Sequence, residues 1–161
     1  MAGSREEFPM IEGARYVHTN LIARDWRALA DFYVRVFGCT VVPPERDYSG
    51  PELEAGTGVP GSTVRGVHLR LPGHGLSGPT LEIYSYSVAA DGQAPAINRP
   101  GFAHVAFEVP SVDLARSEIL AAGGAPAGDV VTLTTADGRR VTWCYLRDPE
   151  GNFVELQSWD G

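Results

Sequence analysis

Cysteine, charge and long apolar runs are all scarce in this chain, and each shortage closes off a class of protein. The two cysteines, Cys39 and Cys144, lie far apart without a Cys-x-x-Cys spacing. No disulfide framework is expected, and a reducing, cytoplasmic setting is the simplest. No stretch approaches the roughly 18 apolar residues of a membrane span. Met1 to Glu7 is polar, so a leader peptide is not expected either. Charged residues make up 20% of the chain and hydrophobic residues 43%, too little charge for disorder and enough apolar material for a core. Positive charge is the scarcer sign: 13 basic residues face 20 acidic ones, a net charge of −7. That field repels phosphate backbones and anionic bilayers, so no nucleic-acid or membrane partner is expected.

Glycine and proline, by contrast, are plentiful, at 19 and 12. Tight turns are therefore many, and a bundle of long helices is excluded. The length of 161 residues suits a single domain, 1–161. Tyr16 to Ala23 is rich in β-formers and reads as a strand. Asp25 then suits an N-cap, with Leu29, Phe32, Tyr33 and Val36 on one helical face and Gly38 as the stop. Thr40 to Val42 reads as a short strand ended by Pro43-Pro44, followed by a long loop to Gly61 with a helical turn near Leu53. Strands are expected at Thr63 to Leu71 and Thr80 to Tyr86.

The same order then begins again. Phe102 to Val109 is a strand, and Ser111 caps a helix that Gly123-Gly124 ends. Val130 to Thr134, Val141 to Arg147 and Phe153 to Gln157 follow as strands. The turn Asp148-Pro149-Glu150-Gly151-Asn152 precedes the last of them. Strand, helix and three strands thus occur twice, an internal repeat with one unit at 14–87 and the other at 101–159.

Overlaying the units sets His18 against His104 in their first strands and Glu82 against Glu155 in their fourth. A lone His or Glu in a strand is ordinarily structural. Four at paired positions of a repeat are a different matter, because facing sheets would bring them to one cleft. Two carboxylates meeting there repel unless one is protonated or a cation lies between them. Two neutral imidazoles, two carboxylates and one divalent ion sum to zero charge. His68, in the third strand, and Trp143, which shares a strand face with Tyr145, are candidate substrate-lining residues. Tyr84 joins them, having the parity of Glu82.

Those residues carry a resemblance. The matching elements are His18, Arg24-Asp25 through Phe32-Tyr33 to Phe37-Gly38, Leu81-Glu82-Ile83, Phe102 to Phe107, and Arg147-Asp148-Pro149 to Glu155-Leu156. On them the chain resembles the vicinal oxygen chelate superfamily, which includes glyoxalase I, methylmalonyl-CoA epimerase, extradiol dioxygenases and the bleomycin- and fosfomycin-resistance proteins. The resemblance implies an α+β fold of two tandem βαβββ modules forming a half-barrel cleft. It also implies one divalent metal ion (Zn, Ni, Co, Mn or Fe) held by His18, Glu82, His104 and Glu155, a small-molecule substrate, and a homodimer.

Four protein ligands on a six-coordinate ion leave about two positions, enough for the vicinal oxygens of an enediolate but not for a catecholate plus dioxygen. The expected chemistry is therefore that of an isomerase, epimerase or lyase removing a proton beside the carbonyl of a small α-hydroxy or α-oxo compound. Glu155 is the candidate base, and Glu82 can play the same part on the opposite face. An iron-dependent extradiol-type dioxygenase and an antibiotic-binding resistance protein are the alternatives.

Overall fold

A computed structural model describes residues 11–160. The polar Met1 to Glu7 segment, from which the lack of a leader is read, lies outside them. The first half opens with β1 (His18–Ile22), α1 (Trp26–Phe37), β2 (Thr40–Tyr48) and α2 (Pro51–Thr57), and closes with β3 (Val64–Arg70) and β4 (Thr80–Tyr86). The second comprises β5 (His104–Glu108), α3 (Val112–Ala121), β6 (Ala125–Pro126), β7 (Val131–Thr134), β8 (Arg140–Arg147) and β9 (Phe153–Trp159). Two sheets result, ordered β1-β4-β3-β2 and β5-β9-β8-β6, with β7 also on β8. In each, the first strand runs parallel to the last. Among the described residues the sheets do not join into a closed barrel.

Local chemistry explains the helices. Asp25 accepts hydrogen bonds from the backbone amides of Arg27 and Ala28, satisfying donors that the first turn leaves orphaned. Gly38, at φ 68°, ends α1 in the left-handed region. Leu29, Phe32 and Tyr33, spaced for one face, are fully buried against β3 and β4. Ser111 caps α3, which packs on β8 and β9. Helices and core cover one face of each sheet and leave the other open: Leu81 and Ile83 are buried, whereas Glu82 and Tyr84 alternate with them on the open face.

Two elements differ from expectation. Pro43-Pro44 does not end the strand after α1; β2 runs on to Tyr48, with a register shift between Val42 and Arg46. Because β2 is an edge strand, the missing proline N–H groups cost it no central ladder bond. The two-residue β6 is too short to leave a periodic signal.

One buried core spans both halves, drawing on α1, β3 and β4 from the first and α3, β8 and β9 from the second. Phe37 and Phe107 stack across the boundary with ring centroids 3.8 Å apart. Asp148, 3% exposed, is the polar link. Its carboxylate accepts from the Tyr33 hydroxyl (3.0 Å), the Glu150 and Asn152 amides (2.9 and 3.0 Å) and Asn152 Nδ2 (2.9 Å). Glu150 Oε1 in turn accepts from the Arg24 and Asp25 amides at 2.9 and 3.0 Å. The turn before β9 therefore holds the loop that leads out of β1.

Gly66, opposite Tyr84 on β3, is required by close approach. A Cβ there would overlap the Ile83 carbonyl oxygen and the Tyr84 ring. Gly66→Ala is expected to cost about 1–3 kcal/mol of stability through overpacking, measured by urea denaturation.

Candidate metal centre

The antiparallel β3–β4 register sets His68 directly opposite Glu82, and the parallel β1–β4 register sets Asn20 beside it. His18 lies two residues before Asn20, on the same face of β1. His68 Nε2 is 2.9 Å from Glu82 Oε1, and His18 Nε2 is 3.5 Å from Glu82 Oε2. One ligand atom from each of His18, His68 and Glu82 lies within 4.8 Å of the others. Among the described residues this is the sole group of three or more potential ligands that is so close.

The surroundings favour ligation. The Glu82 side chain is 12% exposed and that of His68 18%, whereas His18 at 40% opens to the cleft. Asn20 Nδ2 donates to Glu82 Oε2 at 2.7 Å and so fixes the carboxylate. His68 Nδ1 faces the Thr80 hydroxyl at 3.2 Å, leaving Nε2 turned to Glu82 and the Tyr84 hydroxyl. Burial lowers the His68 pKa, and the Arg46 and His18 charges add to that against the opposing pull of Glu82. The imidazole is thereby kept in the neutral form that binds metals. Burial, and then hydrogen bonding to Glu82, raises Tyr84 well above the ordinary phenol range, so it remains a donor. Two imidazoles and a carboxylate form a nitrogen and oxygen donor set that fits a first-row divalent ion.

His104 and Glu155 form a pair of their own, with Nε2 and Oε2 3.1 Å apart. Tyr145 stands opposite Glu155 on β8, and its ring is 5.1 Å from that of His104. Burial raises the Tyr145 pKa, helped by the Glu155 charge and a hydrogen bond to it. Trp143 packs edge-on against Tyr145 at 5.1 Å on the same open face. The structure thus brings His18, His68 and Glu82 together with Tyr84, and separately brings His104, Glu155, Tyr145 and Trp143 together. Both histidines, His18 and His104, line one cleft of about 590 Å³ between β1 and β5.

The registers also show where the repeat breaks its symmetry. Glu82 is flanked by Asn20 and His68, and Glu155 by Ala106 and Tyr145. The second-half counterpart of His68 is therefore Tyr145, so one half holds three potential ligands and the other two. Sequence inspection placed His68 among the substrate-lining residues and did not single out Asn20. Cross-strand pairing to Glu82 is the signal that would have found both, but the loop from Leu71 to Pro79 hides that register.

A cleft walled by two half-related sheets, with His and Glu side chains rising from the first and last strand of each, defines a paired βαβββ protein whose open face carries potential metal ligands. The chain belongs to the Glyoxalase/Bleomycin resistance protein/Dioxygenase superfamily, whose family model matches residues 15–156. Its fold is similar to a glyoxalase family protein from Bacillus cereus (TM-score 0.73, 19% identity, 99% of this chain and 100% of that one). It is also similar to the trypanothione-dependent glyoxalase I of Leishmania major (TM-score 0.59, 20% identity, 91% and 87%). A third is a glyoxylase/bleomycin resistance protein/dioxygenase domain from Frankia sp. EAN1pec (TM-score 0.57, 18% identity, 94% of both chains). No curated protein sequence matches the chain. At such identities the likeness is one of fold. No described helix is long and apolar enough to cross a membrane.

Proposed function

We propose that this protein is a metal-dependent isomerase, epimerase or lyase that removes a proton next to the carbonyl of a small α-hydroxy or α-oxo compound. In this proposal His18, His68 and Glu82 hold the divalent ion, and Glu155 is the base. The observation that carries it is the approach of those three ligand groups within 4.8 Å. When bound, the ion supplies Lewis-acid polarisation of the substrate oxygen.

The chain's own residues supply the rest. Asn20 orients Glu82, which suits it to ligation more than to proton transfer. Glu155, held by His104 and Tyr145 on the other sheet, is a carboxylate aimed by two neighbours. It takes the proton from the substrate carbon, and His104, 30% exposed, passes it toward the cleft. Tyr84 and Trp143 wall the substrate on either side. The units 14–87 and 101–159, acting as modules of one domain, are part of this proposal. So is a homodimer, supported by the exposed Tyr16, Ile22 and Phe102 that line the cleft.

The test is elemental analysis followed by proton–deuterium exchange on 2-hydroxy and 2-oxo acids and thioesters. About one equivalent of ion per chain is expected after reconstitution. Glu155→Gln should keep the ion while exchange falls by about 10²–10⁴. Loss of the ion from that variant would instead place Glu155 among the ligands, with His104. Metal content far below one equivalent in the unmodified protein would overturn the proposal.

A second reading starts from the same three ligands. Two histidines and one carboxylate on an ion leave about three positions free, the set used by non-haem iron oxygenases. Oxygen uptake with catechols by the iron-loaded protein, lost in His68→Ala, would favour an extradiol-type dioxygenase.

A further inference from the structure

We infer that Arg46 is the specificity residue of the candidate metal centre, and that it selects substrates carrying a distal oxyanion group, carboxylate or phosphate, a few bonds from the carbonyl. The inference rests on the proposed function and narrows its substrate class.

Arg46 shares the open face of the first sheet with the cluster. It pairs with Gly66, which pairs with Tyr84, and this row adjoins the one that joins Val42, His68, Glu82 and Asn20. Neighbouring rows on one face are about 7 Å apart along the strand, and β2 lies about 10 Å from β4. A guanidinium extending from β2 toward the cluster therefore meets a group only a few bonds from an oxygen bound there. The space above Gly66, between Arg46 and the cluster, is taken by the Tyr84 ring.

The charges point the same way. Glu45 and Asp47, on either side of Arg46, are both spent on other arginines: Glu45 on Arg27 (3.0 Å) and Asp47 on Arg65 (3.0 Å). Arg46 is half-buried, and among the described residues it has no carboxylate partner; its Nη1 donates only to the Pro44 carbonyl. A guanidinium has five N–H donors arranged as a fork that matches a carboxylate or phosphate. Its positive charge is felt at both His68 and Tyr84. Two neutral imidazoles, one carboxylate and a divalent ion leave a charge of +1, and Arg46 raises it to +2. In a chain of net charge −7, that local reversal draws an anion to this face.

The test has a metal-free and a metal-loaded arm. In the first, the Arg46 Nε–Hε signal is followed by NMR while succinate or inorganic phosphate is added. A saturable shift at Arg46, absent at Arg27 and Arg65, is expected, and the stronger of the two anions identifies the group. In the second, calorimetry compares 2-oxoglutarate with 2-oxobutyrate on the zinc-loaded protein. The distal carboxylate should add about tenfold in affinity. Arg46→Gln should erase that preference, Arg46→Lys should keep part of it, and neither should lose zinc. Absence of a saturable shift with either anion, or an unaltered preference in Arg46→Gln, overturns the inference. If zinc fails to bind while the Arg46 shift persists, the proposed function fails and the anion site stands.

Discussion

Glu82→Gln is expected to abolish stoichiometric metal binding while leaving the fold intact. Glu82 is the one group that His18, His68 and Asn20 all address, and it brings the only negative charge of the cluster. Gln keeps the shape and an acceptor for Asn20 but cannot neutralise a cation. Losing an outer-shell partner costs metal sites about 10–100-fold in affinity, so losing the charged ligand should cost more than about 100-fold. Equilibrium dialysis against zinc, with circular dichroism to confirm folding, measures it. Retention of one tight equivalent in Glu82→Gln would show that the ion is held elsewhere and would remove the basis for the proposed chemistry.

The second large effect is structural. Asp148→Ala leaves four donors without their acceptor in a site that water does not reach: the Tyr33 hydroxyl, two amides and Asn152 Nδ2. The expected cost is about 3–5 kcal/mol, or on the order of 10 °C in melting temperature. Because these bonds tie α1 to the turn before β9, both halves should melt together at the lower temperature. A change below about 1 kcal/mol would mean that the Asp148 cluster is not what holds the halves together.

The pH dependence of that link has a definite sign. Burial raises the Asp148 carboxyl above its ordinary value near 3.8, although the hydrogen bonds to Asn152, Tyr33 and Glu150 pull the other way. Ionising it therefore costs the folded state more than the unfolded one. Its contribution is full below the ordinary carboxylate range and declines as pH rises through the elevated value. The stability advantage of the natural chain over Asp148→Asn should accordingly narrow between about pH 4 and pH 7. Burial also raises the Tyr33 pKa well above the ordinary phenol range, so Tyr33 remains a donor throughout that window.

Much of this protein was legible along the chain because the deciding forces are local. Asp25 and Gly38 bound α1 through capping and a left-handed φ, and Leu29, Phe32 and Tyr33 mark its buried face by spacing alone. The repeat was visible for the same reason, as was the equivalence of His18 with His104 and of Glu82 with Glu155. Which of those groups touch was not. A residue's cross-strand partner depends on register, and register here passes through loops that carry no periodic signal. Tertiary structure therefore decided that His68 meets Glu82 and that Arg46 shares their open face. It likewise set Tyr145 against Glu155, as it set His68 against Glu82, and brought Asp148 from the far end of the chain to Tyr33. The order of strands and helices follows from neighbours in sequence, whereas the site is an arrangement of neighbours across hydrogen-bonded strands.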